Sequence, residues 1–331
     1  MTKRNWNPGE LLAVSGAYWQ SCALHAAVAL DVFSRLGDEG LTAAELADRI
    51  DGSQRGVAHL LDALAAMQLL EKHDGRYANS AASRRLLCRD APGYLGHMIS
   101  HHRHLVPSWA RLDEAVRTGR PVRDRSSVSE AQWRESFLMG MFNMAMATAP
   151  AVVSALDLSG RQRLLDLGGG PGTYAIQFCL KYPELSATVF DLPTTRPFAE
   201  RTIARFGVSG RVEFTAGDYH VDEIPGSFDV ALLSQVLHAE GAEQCALILR
   251  KAVSALSPGG MVIVHEFILE DTEDGPLFPA LFSLNMLLGT PAGRAYSGRQ
   301  LAQMLQAAGA REIRRIQLHT PNDSGLIVGL V

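Results

Sequence analysis

Two hydrophobic rhythms divide the chain. Through about residue 155 the apolar positions recur at helical spacing. Leu11–Leu36 reads as one long, alanine-rich helix that is apolar on more than one side. A helix without a clear polar face needs something to bury it, here a partner subunit. Thr42, with Glu45 three residues on, is a capping box and predicts a short helix through Ile50. Ser53 predicts the cap of a second helix carrying Val57, Leu60, Leu61, Leu64 and Met67. In LLEKHDGRYANS the Asp74-Gly75 pair lies between two extended segments and predicts a hairpin. Helix, helix, hairpin is a winged-helix order. Further helices are predicted through about Met146, interrupted by the loop TGRPVRDRSSVSE.

From about Ser159 short apolar runs alternate with helical patterns: RLLDLG, ATVFDL, VEFTAGD, FDVALLSQVL and GMVIVHEFIL. This alternation predicts a mostly parallel α/β sheet. The closing runs IRRIQLHT and SGLIVGLV predict a hairpin at the sheet edge. The expected division is a helical, winged-helix-like region over 1–155 and an α/β, Rossmann-like domain over 156–331.

Composition narrows the classes. A net charge of −4 argues against a broad nucleic-acid surface. The would-be recognition helix, SQRGVAHLLDALAAMQLL, has Arg55 as its one strong cation, so no nucleic-acid partner is expected. No unbroken run of 18 apolar residues predicts a membrane span, and MTKRNWNPGELL lacks the apolar core of a signal peptide. The 4 cysteines are scattered without a CxxC pair, which suits reduced thiols and a cytoplasmic location.

The most informative segment is LLDLGGGPGT, residues 164–173: an apolar strand running into a glycine turn that opens a helix. Such a turn lets backbone approach a ligand closely at the carboxyl end of a sheet. Gly168 and Gly170 fit the dinucleotide fingerprint, but Thr173 stands at its last glycine position, which disfavours a nicotinamide oxidoreductase. Asp166 puts a carboxylate at the mouth of the loop, opposing a pyrophosphate and favouring a cation. S-adenosylmethionine carries an ammonium and a sulfonium, so the sign fits. Asp191, followed by Leu192, ends the second strand, where an acid hydrogen-bonds ribose hydroxyls. Gly217, Asp218 and Tyr219 end the third, where the acid can meet an adenine amino group and the ring can pack on the base.

Together LLDLGGGPGT, VFDLP, GDYH, LLSQVLH and LSPGGMVIVHEFIL resemble the class I O-methyltransferases of the plant caffeate and bacterial hydroxyindole (acetylserotonin) type. The resemblance covers nearly the whole chain, including the N-terminal region, which it implies is a dimerisation domain forming a homodimer. It implies S-adenosylmethionine as cofactor and S-adenosylhomocysteine as product, with Asp166 and the glycine loop at the methionine end, Asp191 at the ribose, and Asp218 with Tyr219 at the adenine. The family has lysine or arginine where Ser234 or Gln235 stands; these two are taken as cofactor contacts.

Methyl transfer to a hydroxyl gains from a base near the methyl. Histidine is the residue type suited to that task near neutral pH, and His238, just past the fourth strand, matches the family's base position. Glu266 matches a flanking family acid, and strand alternation turns His265 to the opposite face. Two family acids are missing: Ala239 follows the base, and Ala295 stands where a second acid is expected.

The resemblance implies that the acceptor pocket is lined by FLMGMFNMAMA and PLFPALFSLNMLL, with Phe142, Met146, Phe282, Asn285 and Met286 as wall residues. His97, His101 and His104 share one helical face. No acid lies among them, so no metal site is expected; His101 is taken as an acceptor contact. The leading expectation is O-methylation of a small aromatic molecule. The alternatives are carbon or nitrogen methylation, a non-methylating reaction on the same scaffold, and a winged-helix DNA-binding regulator.

Overall fold

The computed structural model describes residues 5–123, 131–320 and 322–331. Residues 124–130, most of the loop expected between helices, and Pro321 lie outside the described residues. The chain forms two compact units, Met1–Val106 and Pro107–Val331.

In the first unit the expected long helix is three: α1 (Pro8–Gly16), α2 (Tyr18–Ala29) and α3 (Val32–Leu36). The break before α3 falls at Asp31, which takes a left-handed conformation while its carboxylate accepts from Arg89 Nε at 2.9 Å. Leu11, Leu12, Val14, Tyr18 and Trp19 are all exposed, an apolar surface over α1 and the start of α2. After β1 (Leu41–Thr42) come α4 (Ala43–Ile50) and α5 (Gln54–Ala66). Their caps are as expected: Thr42 and Glu45 form the reciprocal box, and Ser53 accepts from the Gly56 N–H. Strands β2 (Leu70–His73) and β3 (Arg76–Asn79) pair through the turn at Asp74 and Gly75. Both turn residues have positive φ, 49° and 77°, the signature of a tight hairpin turn. The helices α6 (Ala81–Leu86) and α7 (Gly96–Trp109) follow.

The second unit begins at Pro107, in the last turn of α7, and continues with α8 (Leu112–Thr118) and α9 (Ala131–Ala155). By length and composition Trp133–Ala155 could cross a membrane, which counting unbroken apolar runs did not flag. Its residues Ala149, Val152 and Val153 are instead buried in the core of this unit. The remainder is β4 (Arg163–Leu167), α10 (Thr173–Lys181), β5 (Ser186–Asp191), α11 (Arg196–Arg205), β6 (Val212–Ala216), β7 (Phe228–Ser234), α12 (Ala242–Ser254), β8 (Leu256–Leu269), α13 (Leu277–Gly289), β9 (Tyr296–Ser297), α14 (Gly298–Ala307), β10 (Arg311–Gln317) and β11 (Ser324–Leu330). Because α9 packs against α10, the division expected at 155/156 falls inside this unit, at the C-terminal end of α9.

The main sheet runs β10-β11-β8-β7-β4-β5-β6. Strands β4 to β8 are mutually parallel, and β10–β11 is the antiparallel hairpin expected from the sequence. That hairpin is inserted with β11 against β8 and β10 at the edge. Alternation sorts the strands cleanly. Leu164, Val230, Leu232 and Ile263 face a core shared with α9, α10 and α11, while Leu165, Leu167, Leu233 and Val264 face the core under α12 and α14. The chain leaves β4 toward β5 on one side and returns to β7 on the other. Ligands bind doubly wound sheets at the carboxyl ends of strands around such a reversal.

Candidate active site

The glycine turn occupies that reversal. Gly168 has φ +68°, and a Cβ there would stand 2.8 Å from Val236 Cγ2. A Cβ on Gly169 would stand 2.6 Å from the Asp166 carboxyl carbon. The turn is therefore closed over Asp166, which is fully buried. Asp166 Oδ2 accepts from the Ala175 N–H at 3.2 Å, near the start of α10, and its Oδ1 is buried without a hydrogen-bond partner. Burial, aided by the charge of Asp191, pushes its carboxyl up to about 7. Thr173 Oγ1, also buried, has no partner either.

Asp191 is tied to both neighbouring loops. Its Oδ2 accepts from Gly170 N at 2.8 Å, and its Oδ1 from Leu192 N at 2.7 Å and Thr195 Oγ1 at 3.0 Å. Burial holds this carboxyl above its ordinary range. After Gly217, Asp218 Oδ1 accepts from the His220 N–H at 2.9 Å. Tyr219 stands beside the glycine turn, its Cε1 3.5 Å from where a Gly168 Cβ would be. Three acids and one aromatic ring thus ring the strand ends, as the sequence led one to expect. The positive-φ turn, the acids and the unpartnered Asp166 oxygen fit a ligand with an amino-acid cation, a ribose and a base.

Around the next strand end, His238 lies in a single turn, Leu237–Ala239, directly after β7. Its Nδ1 is 2.7 Å from Glu266 Oε2. The other carboxylate oxygen accepts from Leu237 N at 2.8 Å and His238 N at 3.3 Å. One buried acid therefore fixes both the ring and the backbone that carries it. Aromatic rings complete the setting. Phe267 stacks on His238 with centroids 5.8 Å apart, and Phe282 meets it edge-on at 4.8 Å. Ala239 and Ala295 supply no carboxylate, and Glu240 Oε1 turns instead to His220 Nε2 at 3.3 Å.

His265 points to the opposite side of β8, as alternation requires. It is buried, and its Nδ1 is 2.9 Å from Ser234 Oγ. Gln235 adopts a left-handed φ of 61°, and its Oε1 is buried without a partner. The wall residues expected for an acceptor separate. Phe282 joins His238, and Met286 is buried on the same helix. Asn285 accepts from Arg123 Nη2 at 2.8 Å, a link the sequence did not suggest. Phe142 is buried against Phe206, and Met146 Sδ accepts from Gln177 Nε2 at 3.7 Å, so both have contacts that fasten α9 to its neighbours. His101, buried, belongs to the first unit. Among the described residues no cluster of three or more potential metal ligands occurs.

Residues 109–311 match the O-methyltransferase domain, and residues 12–89 match the O-methyltransferase dimerisation domain. The chain belongs to the O-methyltransferase family. This S-adenosylmethionine-dependent enzyme is 36% identical to 3-hydroxy-5-methyl-1-naphthoate 3-O-methyltransferase of Streptomyces sahachiroi, over 98% of this chain and 95% of that protein. Among solved structures it is similar to PigF with SAH, with a TM-score of 0.89 and 30% identity over 98% and 100% of the two chains. It is also similar to human N-acetylserotonin methyltransferase in complex with SAM, with a TM-score of 0.87 and 27% identity over 100% and 99%.

Proposed function

We propose that this O-methyltransferase acts on a hydroxyl of a small, flat aromatic acceptor, with His238 as general base and Glu266 as the acid that orients it. The supporting observation is the 2.7 Å contact of His238 Nδ1 with Glu266 Oε2. A carboxylate at Nδ1 holds a proton on that nitrogen and leaves Nε2 as the basic atom. When bound, S-adenosylmethionine supplies an electrophilic methyl on sulfur. His238 Nε2 would take the hydroxyl proton as the acceptor oxygen displaces the thioether sulfur from the methyl, and Glu266 would offset the charge of the imidazolium. Phe267 and Phe282 keep the ring in place and give the acceptor an apolar, aromatic flank. The naphthoate named for the relative is such an acceptor.

Asp166, Asp191, Asp218 and Tyr219, with Gly168, Gly170, Leu192, Gly217, Ser234 and Gln235, form the proposed cofactor site. Replacing His238→Ala is expected to leave S-adenosylmethionine affinity within twofold by calorimetry while turnover falls about 10²–10⁴-fold. Unchanged turnover would remove His238 from the chemistry. The exposed apolar surface of α1 and α2 supports a homodimer through the dimerisation domain. Leu12→Asp with Trp19→Asp is expected to give monomers in sedimentation, and an unshifted species would place the interface elsewhere.

A further inference from the structure

Behind Ser234 runs a chain of buried polar groups that the proposed chemistry does not use. His265 Nδ1 lies 2.9 Å from Ser234 Oγ. The Tyr174 phenol also lies within hydrogen-bonding reach of Ser234. That phenol is 2.8 Å from Thr148 Oγ1, and Thr148 donates to the carbonyls of Met144 and Ala145 at 3.3 Å. His265, Tyr174 and Thr148 are buried, whereas Ser234 is half-exposed at the strand end beside the glycine turn. His265 Nε2 is buried without a hydrogen-bond partner, and the imidazole meets the Tyr174 ring edge-to-face at 5.5 Å.

Counting protons fixes what Ser234 offers outward. A hydroxyl has one hydrogen and two lone pairs. Thr148 spends its hydrogen on the backbone, so it accepts from Tyr174, whose own hydrogen is then committed. If His265 Nδ1 carries no proton, the Ser234 hydrogen goes to it. If Nδ1 carries one, it donates to Ser234, and the Ser234 hydrogen goes to Tyr174. In either tautomer the hydrogen points inward and a lone pair points out. The outward lone pair complements a cation.

We propose that His265 is a positioning residue which, through Ser234, presents a hydrogen-bond acceptor to the cationic amino-acid end of S-adenosylmethionine. This rests on the cofactor site being the one assigned above. It sets Ser234 in a role that a lysine or arginine at this strand end could not play in the same way, because those side chains only donate.

The test compares ligands that differ at that end alone. S-adenosylmethionine and S-adenosylhomocysteine carry the α-ammonium; 5′-methylthioadenosine keeps the nucleoside and lacks the amino acid. By titration calorimetry, His265→Leu is expected to weaken the first two about tenfold, the scale of one hydrogen bond to a charged group. It is expected to leave 5′-methylthioadenosine within twofold. His265→Asn, whose side-chain oxygen can stand in for Nδ1, is expected to restore most of the loss. Ser234→Ala is expected to show the same selective loss, with His265→Leu adding little to it, which keeps the idea testable should His265→Leu fold poorly. Equal weakening of all three ligands, or no weakening, would overturn the proposal. Wild-type protein binding none of the three would instead overturn the cofactor site itself.

Discussion

Replacing Glu266→Gln probes the centre of the proposed mechanism with little change of shape. The carboxylate makes three contacts: Leu237 N at 2.8 Å, His238 N at 3.3 Å and His238 Nδ1 at 2.7 Å. Alanine would strand the buried Leu237 N–H and cost about 1–3 kcal/mol of stability, confounding any kinetic result. Glutamine keeps an oxygen for those two N–H groups and turns an NH₂ toward Nδ1. Nδ1 then has to accept, so the ring proton moves to Nε2, the atom that should receive the acceptor's proton. The variant holds a histidine of the right position and the wrong tautomer. It also loses the negative charge that steadies an imidazolium in a nearly dry setting, the Glu266 side chain being 2% exposed.

General-base catalysis is worth about 10²–10⁴-fold, and both losses act on the same term, so kcat is expected to fall by about that factor. Affinity for S-adenosylmethionine should stay within twofold, since Glu266 lies on the other face of the sheet from Ser234 and His265. The assay is single-turnover transfer of a labelled methyl to a phenolic acceptor, run beside thermal melting. Raising the pH should recover part of the rate as the acceptor hydroxyl ionises unaided. A Glu266→Gln enzyme that folds like the wild type and keeps kcat within threefold would refute the orienting role. A His238→Ala enzyme with the same outcome would refute the base.

Two buried groups, His265 and Asp166, pull the acid response of this fold in opposite directions. Burial holds the His265 imidazole down at about 4 against an ordinary 6.5. The unfolded chain takes the proton first, so the His265 contribution falls as pH drops from 6.5 toward 4 and levels below, by about 3 kcal/mol for a shift of that size, while Asp166, held up at about 7, contributes in the opposite sense as pH drops below 7. Urea unfolding at stepped pH should show the His265 slope as the difference between wild type and His265→Asn; parallel curves for the two proteins would assign the acid response to other groups. Gly168→Ala puts a Cβ 2.8 Å from Val236 Cγ2 on a backbone at φ +68°, and is expected to cost about 1–3 kcal/mol and abolish measurable cofactor binding by calorimetry. Retained affinity would mean that the turn does not need its present course.

What the sequence disclosed was whatever depends on local pattern. Strand and helix order, the Thr42–Glu45 capping box, the Ser53 cap, the Asp74-Gly75 turn and the acids at three strand ends follow from neighbours within a few residues. The side of β8 on which Glu266 falls follows from a period of two. Two features were hidden for the same reason, that they depend on distant contacts. The break at Asp31 is stabilised by Arg89, 58 residues away, and nothing within Leu11–Leu36 announces it. The Asn285–Arg123 pair spans 162 residues. The wall residues of α9 show a subtler limit. Phe142 and Met146 sit in a soft apolar helix that suits a pocket or a core equally, and only their contacts with Phe206 and Gln177 place them.

The two alanines among the expected acids concentrate the demands on one carboxylate. With Ala239 and Ala295 silent and Glu240 turned toward His220, the described residues give His238 Glu266 alone as a charged partner. A second acid would hold the ring by a further polar contact. Here that work falls to packing: Phe267 stacks on one side of the imidazole and Phe282 abuts it, while Phe278 lies 4.9 Å from Phe267 and locks the pair. Aromatic contacts of this kind are worth about 0.5–1.5 kcal/mol beyond burial, less than a buried charge-assisted hydrogen bond but without its desolvation cost. The proposed base has one carboxylate rather than two to offset the charge of an imidazolium. It suits an acceptor whose hydroxyl is already acidified by an extended aromatic ring, and it would serve an aliphatic alcohol poorly. The size of that preference, read as kcat/KM for phenols of graded pKa against a benzylic alcohol, measures how far the missing acids have narrowed the chemistry. A rate independent of acceptor acidity would mean that His238 with Glu266 already supplies all the basicity the transfer requires.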